Sequence, residues 1–147
     1  MLSGLLTERC ALLHGSARQL PLLLKISPDL DAQSLASVVS VIRKLRIDGI
    51  VATNTTVQRP MQSESRSVPS GGLSGAPLHA LSLAMVRELR QQLGEAFPII
   101  GVGGIDSAEK ATAMRRAGAD LVQIYTGLVY RGPSLVRKCV RALSSTQ

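Results

Sequence analysis

Apolar and polar positions along this chain form blocks that predict strands and helices in turn. Four short runs are mostly apolar and end in Gly, Pro or polar residues, as strands buried on both faces do. These runs are Pro21–Ser27, Asp48–Thr53, Phe97–Val102 and Asp120–Tyr125. Each is followed by a segment whose apolar residues recur every three to four positions, which predicts a helix with one apolar face. The pattern therefore predicts four strand–helix units.

Capping residues mark the predicted helices. Asp31 is a suitable N-cap for the first of the four, and Gly94 is a suitable stop for the second. The apolar stripes or bounds of these helices are Leu35–Leu45, Leu78–Leu93, Ser107–Ala117 and Pro133–Leu143. Ahead of them, residues 1–20 are expected to form a short amphipathic helix and a linker. No targeting segment is expected there, because Glu8 and Arg9 interrupt the apolar residues.

Four βα units in succession fit either a doubly wound sheet or half of a closed (β/α)8 barrel. A full barrel takes about 250 residues, so four units with short connections account for roughly half of one. The polar and glycine-rich residues follow the strands, where a barrel keeps its functional groups. We therefore predict an α/β fold, a half barrel in residues 21–147 that is incomplete as an isolated chain.

The net charge of +7 requires that a nucleic-acid partner be considered. The basic residues are scattered, however, and aromatic residues make up only 2% of the chain, so nothing stacks on bases beside them. We expect no nucleic-acid partner. Cys10 and Cys139 have no CxxC spacing and are expected to be reduced thiols. His14 and His79 lack partners at ligand spacing, so no metal site is expected.

A glycine-rich turn follows the third predicted strand and opens a helix. In the run Gly101–Asp106 (GVGGID), backbone N–H groups and the helix N-terminus favour an anion. The GxGG spacing, with Asp120 at the start of the next strand, disfavours a dinucleotide site. In a barrel the loops after the last two strands are the usual phosphate site, and the second of them begins Tyr125-Thr126-Gly127. A tight βα turn without a ligand is the alternative.

Polar residues also mark the ends of the first two strands. Lys25 interrupts an apolar strand, which suits either a rim lysine or a cation that faces a cofactor. Thr53–Thr56 places four hydrogen-bonding side chains after the second strand, which suits either a polar turn or a planar, polar ligand. Gly71–Gly75 lies in a long polar connection from Gln58 to Pro77, and its glycines indicate a backbone close to a ligand.

These segments together resemble the dihydroorotate dehydrogenase family, and specifically its quinone-dependent membrane class (class 2). The matching strings occur in order from residue 23 to residue 133. They are LLKISPDL (23–30), IDGIVATNTT (47–56), GGLSGAPL (71–78), FPIIGVGGIDS (97–107) and DLVQIYTGLVYRGP (120–133). Five strings in register make the resemblance specific.

The resemblance implies an FMN-binding β/α barrel that oxidises dihydroorotate to orotate with quinone as the electron acceptor. It places Lys25 beside the flavin ring, where its charge supports negative charge on the flavin. It implies that Asn54 and Thr55 hydrogen-bond the orotate ring. The implied cofactor-binding residues are Lys25, Thr53, Gly75, Gly104, Tyr125 and Thr126.

The resemblance covers the C-terminal half of the family's barrel. The serine that acts as catalytic base, the first barrel strands and the helices that receive quinone precede that half, so no catalytic residue is assigned in this chain. Membrane association, at the bacterial or mitochondrial inner membrane, is expected only through that N-terminal part. The alternative function is an inactive barrel fragment that acts as a binding or assembly module. Another phosphate-binding barrel enzyme is disfavoured by Asn54-Thr55 and by GGLSG (71–75).

Overall fold

The computed structural model describes residues 1–13, 20–59 and 71–145. The four predicted strands are present, and they are β1 Leu23–Ile26, β2 Gly49–Ala52, β3 Ile99–Val102 and β4 Leu121–Gln123. The helices are α1 Leu2–Leu12, α2 Ala32–Leu45, α3 His79–Leu93, α4 Ala108–Arg116, α5 Thr126–Arg131 and α6 Ser134–Ser144. A single 3-10 turn, Ala76–Leu78, leads into α3. The linker from residue 14 to residue 19 and most of the polar connection, residues 60–70, lie outside the described residues.

The strands form one parallel sheet in the order β1-β2-β3-β4. A doubly wound sheet reverses its strand order at a switch point, whereas a barrel adds each strand beside the previous one. Every neighbouring pair here is consecutive in the chain. The order therefore confirms the half barrel and excludes the doubly wound alternative for this sheet.

The two faces of the sheet are covered differently. On one face Ile26, Ile50 and Ile99 are buried under the helices, with α3 packed on β2 and β3. The register row on the other face joins Lys25, Val51, Ile100 and Leu121. Only Val51 of that row is buried, and Leu121 is 64% exposed although it is a leucine. Helices on a single face identify the uncovered side as the barrel interior.

Capping residues fix the helix bounds as the sequence predicts. Asp31 is the N-cap of α2, and its carboxylate accepts a 2.7 Å hydrogen bond from Ser34 N–H. That bond holds the pKa of Asp31 below its ordinary value. Ser107 caps α4 by accepting from Lys110 N–H. Gly94, with φ +81°, ends α3 in a conformation that a side chain rarely adopts.

Three local expectations differ from the structure. The strands are shorter than predicted, and β4 pairs with β3 over only three residues. The residues after β4, expected to be a loop, form the six-residue helix α5. The leading helix is present, but it is not amphipathic as expected. On a helical projection Arg9 lies in the middle of the leucine face, and none of the residues of α1 is buried.

Arg9 and Arg90 each belong to a polar cluster at the amino ends of the strands, which we call an amino-end clamp. In the first clamp Asp48 N–H donates to Leu22 O (3.1 Å), Leu22 N–H donates to the Asp48 carboxylate (2.7 Å), and Arg9 pairs with that carboxylate. The hydrogen bond from Leu22 N–H, assisted by Arg9, holds the pKa of Asp48 below its ordinary value. The clamp fixes the start of β1 against the start of β2.

The second clamp repeats this pattern between β3 and β4. Asp120 N–H donates to Ile99 O (2.8 Å), and Ile99 N–H donates to the Asp120 carboxylate (2.8 Å). Arg90, whose side chain is 9% exposed, binds that carboxylate at 2.7 Å. Its guanidinium also donates to the carbonyls of Gly94, Phe97 and Gly118. Neither Arg90 nor the clamp role of Asp120 is predicted from the sequence.

Candidate cofactor and substrate site

A cavity of about 380 Å³ opens at the carboxyl ends of the four strands. This volume falls within the range of about 300–1,000 Å³ that is typical of small-molecule sites. All eight residues that the resemblance assigns to ligands line it, and these are Lys25, Thr53, Asn54, Thr55, Gly75, Gly104, Tyr125 and Thr126. The structure therefore brings the candidate residues together, while their ligand contacts stay predictions.

Glycine backbones form one wall of this cavity. Gly75 and Gly104 have φ values of +79° and +63°, which side chains rarely adopt. A Cβ atom on Gly104 would lie 2.7 Å from both Gly75 O and His79 Cβ, so the turns after β2 and β3 touch through their backbones. His79 Nδ1 also lies 3.2 Å from Gly103 O. The side-chain-free wall leaves backbone groups accessible to a ligand.

The loops after β3 and β4 are neighbours, as the sequence predicts for a phosphate site. A Cβ atom on Gly127 would lie 2.1 Å from Ile105 O, so only glycine permits this contact. Thr126 begins α5, and its hydroxyl donates to Ser74 Oγ at 3.1 Å. These contacts join the residues that follow β2, β3 and β4 around one end of the cavity.

The carboxylate closest in sequence to the glycine turn is paired. Asp106 binds Lys110 Nζ at 2.8 Å, one turn along the chain in α4. The hydrogen bond from Lys110 holds the pKa of Asp106 below its ordinary value, so the group is ionised at neutral pH with its charge compensated. The negative charge beside the turn is therefore neutralised, which removes an obstacle to binding an anion there.

The segment after β2 is held on both sides by backbone bonds. Thr53 N–H donates to Val102 O (2.9 Å), and Asn54 N–H donates to Ile26 O (2.7 Å). Asn54 is exposed, and its Oδ1 accepts from Thr55 N–H at 2.9 Å. Within the described residues its Nδ2 has no hydrogen-bond partner, so the amide can donate to a ligand.

Thr53 differs from Asn54 and Thr55, which are exposed, because it is only 2% exposed. Its hydroxyl donates to Asn54 O at 2.9 Å and also bonds Ser82 Oγ of α3 at 2.8 Å. The hydroxyl proton is therefore used inside the protein. Ser82 was missed in the sequence, although a serine among the apolar positions of α3 was a signal that could have indicated it.

Lys25 is the cation nearest the cavity from the β1 side. It is exposed, it stands on the uncovered face of the sheet, and it forms no ion pair with any residue in the described ranges. An unpaired ammonium group at a cavity wall is available to a bound anion or to developing negative charge.

The base of the long polar connection is fixed beside the site. Thr56 and Leu73 form an antiparallel bridge, and Asp29 accepts bonds from Thr56 Oγ1 and from Val57 N–H (2.8 Å). A Cβ atom on Gly72 would lie 1.9 Å from Thr55 Oγ1. The glycine run predicted to fold close to a ligand thus packs directly on Thr55. The role of Asp29 is not predicted from the sequence, because its partner Thr56 lies 27 residues away in the chain.

Two features that would point to other kinds of site are absent from the part of the chain that the structure describes. No group of three or more His, Cys, Asp or Glu side chains there is arranged around a common metal position. No helix there is long and apolar enough to cross a membrane.

The sheet order and the position of the cavity define a βα-barrel protein with a candidate ligand site at the carboxyl ends of the strands. A family model described as Dihydroorotate dehydrogenase matches residues 2–146. The chain therefore belongs to the dihydroorotate dehydrogenase family.

Individual relatives support the same assignment. A dihydroorotate dehydrogenase (quinone) of Bordetella avium is 47% identical over 99% of this chain, and one of Verminephrobacter eiseniae is 49% identical over 98% of it. A crystal structure of DHODH from Eimeria tenella in complex with ferulenol matches 88% of the chain with a TM-score of 0.79 and 37% identity. The chain spans 42% and 41% of the two bacterial relatives and 34% of the Eimeria chain.

Proposed function

We propose that this chain contributes half of an FMN-dependent barrel that oxidises dihydroorotate to orotate with quinone as the electron acceptor. One observation carries the proposal: the eight residues that the family resemblance assigns to ligands line a single cavity. The names of the bacterial relatives, dihydroorotate dehydrogenase (quinone), support the same reaction and the same acceptor. We further propose association with an inner membrane through a part of the barrel protein beyond these residues.

The residues of the cavity fit FMN. The phosphate fits the adjoining backbones of Gly104, Tyr125 and Thr126, which line the cavity together, and the nearby Asp106 is neutralised by Lys110. Gly75 and Lys25 line the same cavity and fit the flavin ring, and Thr53 supports that wall from within. When bound, FMN would supply a hydride acceptor, which the amino-acid side chains of the site do not provide.

The chain's own residues have distinct tasks around this chemistry. Asn54 presents its free amide and Thr55 its hydroxyl to the polar edge of the pyrimidine ring. The ammonium group of Lys25 places a fixed positive charge at the end of β1, where it stabilises negative charge that develops during hydride transfer. Ser74 is the one serine that lines the cavity among the described residues, and its Oγ accepts a hydrogen bond from Thr126. Within residues 1–13, 20–59 and 71–145 no hydrogen-bond partner of Ser74 Oγ accepts its proton, so we propose that the base is supplied by the other half of the barrel.

The tests use a barrel chimera, in which the part of the Bordetella avium relative that precedes the matched region is joined to residues 1–147. This chimera adds the part of the relative that lies before the matched region, while every residue from 1 to 147 stays that of this chain. A chimera that binds no FMN, or one that binds FMN but is not reduced by dihydroorotate, would contradict the proposed function.

Lys25→Ala in the barrel chimera is expected to slow bleaching of the flavin by dihydroorotate and to weaken FMN retention. The removed charge is one that the site holds in place before the reaction, and removal of such a group costs on the order of 100-fold in rate. Stopped-flow absorbance measures the bleaching. Lys44→Ala, on the exposed side of α2, is the control and should change neither quantity. Equal rates in both variants would make Lys25 a rim lysine.

Asn54→Ala in the barrel chimera is expected to weaken orotate binding by roughly 1–3 kcal/mol while FMN stays bound, because a polar ligand edge loses its partner. Asn54→Asp keeps the acceptor for Thr55 N–H and loses the amide donor, so it separates recognition of the ligand from local structure. Orotate titration followed by the flavin spectrum measures both, with Gln33→Ala as an exposed control. Loss of FMN with unaltered orotate affinity would remove Asn54 from the substrate site.

A further inference from the structure

Ser82 lies behind the cavity wall and contacts two of its loops. The residue is on α3, its side chain is completely buried, and it does not line the cavity. Its Oγ lies 2.8 Å from Thr53 Oγ1 in the segment after β2. A Cβ atom on Gly103, in the turn after β3, would lie 2.1 Å from the same Oγ. One hydroxyl group thus contacts the substrate side and the phosphate side of the site.

The direction of the hydrogen bonds follows from counting protons. Thr53 Oγ1 bonds both Asn54 O and Ser82 Oγ, and a hydroxyl has one proton. A carbonyl oxygen can only accept, so the Thr53 proton points to Asn54 O and Ser82 donates to Thr53. The chain of bonds therefore runs from Ser82 through Thr53 to the backbone of Asn54. A serine within a helix usually bonds a carbonyl of its own helix, and Ser82 instead donates across to a neighbouring loop.

We propose that Ser82 is a positioning residue that orients the Thr53–Asn54 segment and supports Gly103, so that the orotate side and the FMN phosphate side of the site keep their relative arrangement. This inference rests on the proposed function for the identity of the two ligands. The claim that Ser82 orients these two loops rests only on its own contacts with Thr53 and Gly103. Removal of the Ser82 hydroxyl takes away the donor to Thr53, which then holds Asn54 O with a hydroxyl that is free to rotate.

Ser82→Ala in the barrel chimera is expected to raise the Kd of orotate by about threefold to tenfold, the usual effect of one lost hydrogen bond. Thr53→Val removes the middle of the chain of bonds. Because both substitutions break one pathway, the double variant should bind orotate no more weakly than the weaker single variant. Additive losses would overturn the proposal, since they would mean that Ser82 does not act through Thr53.

Two control variants separate positioning from stability. Val86→Ala, one turn further along the buried side of α3, creates a cavity in the core and leaves the Ser82 hydroxyl in place. Ser37→Ala removes a hydroxyl that bonds the carbonyl of Gln33 within its own helix. Both should leave the Kd of orotate unchanged. If Val86→Ala weakens orotate as much as Ser82→Ala does, Ser82 is a structural residue and the proposal falls.

Hydrogen–deuterium exchange supplies a measurement that needs no flavin. Amides in peptides covering residues 53–56 and 101–106 should exchange faster in Ser82→Ala than in the parent or in Val86→Ala. Unchanged exchange in both peptides would overturn the positioning role. A parent chimera that binds no FMN but shows the expected exchange difference would contradict the proposed function and leave the role of Ser82 standing.

Discussion

A polypeptide of residues 1–147, expressed alone, is expected to self-associate and to show no reduction of flavin by dihydroorotate. The uncovered face of the sheet includes Leu121, which is 64% exposed, and Ile100, which is only half-buried. Strands β1 and β4 each have one neighbour, so both present unpaired backbone groups at the sheet edges. Apolar surface and open edges of this kind favour association with other molecules.

The loss of activity has a separate cause from the association. Proton abstraction needs a base within hydrogen-bond reach of the substrate carbon, and among the described residues Ser74 Oγ has Thr126 Oγ1 as its hydrogen-bond partner, which donates to it and does not take its proton. Size-exclusion chromatography measures self-association, the flavin spectrum measures bound FMN, and a dye-reduction assay measures turnover of dihydroorotate. The barrel chimera is the positive control. A monomeric yellow 147-residue polypeptide that turns over dihydroorotate would contradict both parts of this expectation.

Arg90→Ala is expected to lower the free energy of unfolding of the barrel chimera substantially. The side chain donates to Gly94 O, Phe97 O and Gly118 O and pairs with Asp120, and it is itself buried. The substitution removes the guanidinium donor from three carbonyls and leaves the Asp120 carboxylate with Ile99 N–H and the more distant Arg115 as its partners. Breaking such a buried pair by removing one partner costs about 3–5 kcal/mol, and the exposure of Asp120 places the expected loss near the lower end, about 3 kcal/mol.

The matched control for this variant is on the same helix. Arg87 is exposed, so Arg87→Ala should change the free energy of unfolding by less than about 0.5 kcal/mol. Arg90→Lys keeps the charge but cannot reproduce the planar fork, and it should fall between the two. Urea unfolding of the barrel chimera measures all three variants. If Arg90→Ala and Arg87→Ala unfold at the same urea concentration, the second amino-end clamp does not stabilise the barrel.

The strand–helix order could be predicted because each element is specified by residues close together in the chain. Asp31 and Gly94 mark helix ends locally, and apolar periodicity marks the buried faces. Helix α5 could not be predicted in this way. Its six residues are too few to show an apolar periodicity, and they begin with Thr-Gly, which is typical of a turn. The close approach of Gly127 to Ile105 O involves the loop after β3, which is distant in the sequence.

The candidate site could be anticipated only where its residues look unusual in their own segment. Lys25 interrupts an apolar strand, and the glycine runs are visible as runs. Ser82, Asp29 and Arg90 were missed because their partners lie 29, 27 and 30 residues away. No local sequence pattern indicates a hydrogen bond over such a separation. The sequence therefore predicts the residues that line the cavity better than the residues that hold them in place.

The two amino-end clamps divide this half barrel into two blocks of the same design. In the first block Arg9 of α1 and the backbone at the start of β1 bind Asp48, which precedes β2. In the second block Arg90 of α3 and the backbone at the start of β3 bind Asp120, which precedes β4. Arg9 to Asp48 and Arg90 to Asp120 lie within separate stretches of the chain, with the long polar connection between them. Each stretch thus contains one complete amino-end clamp, so we expect two βα units, a quarter of a barrel, to be exchangeable between relatives without loss of a clamp. A recombination crossover between residues 53 and 78 keeps both clamps whole, whereas one inside either block separates an arginine from its aspartate.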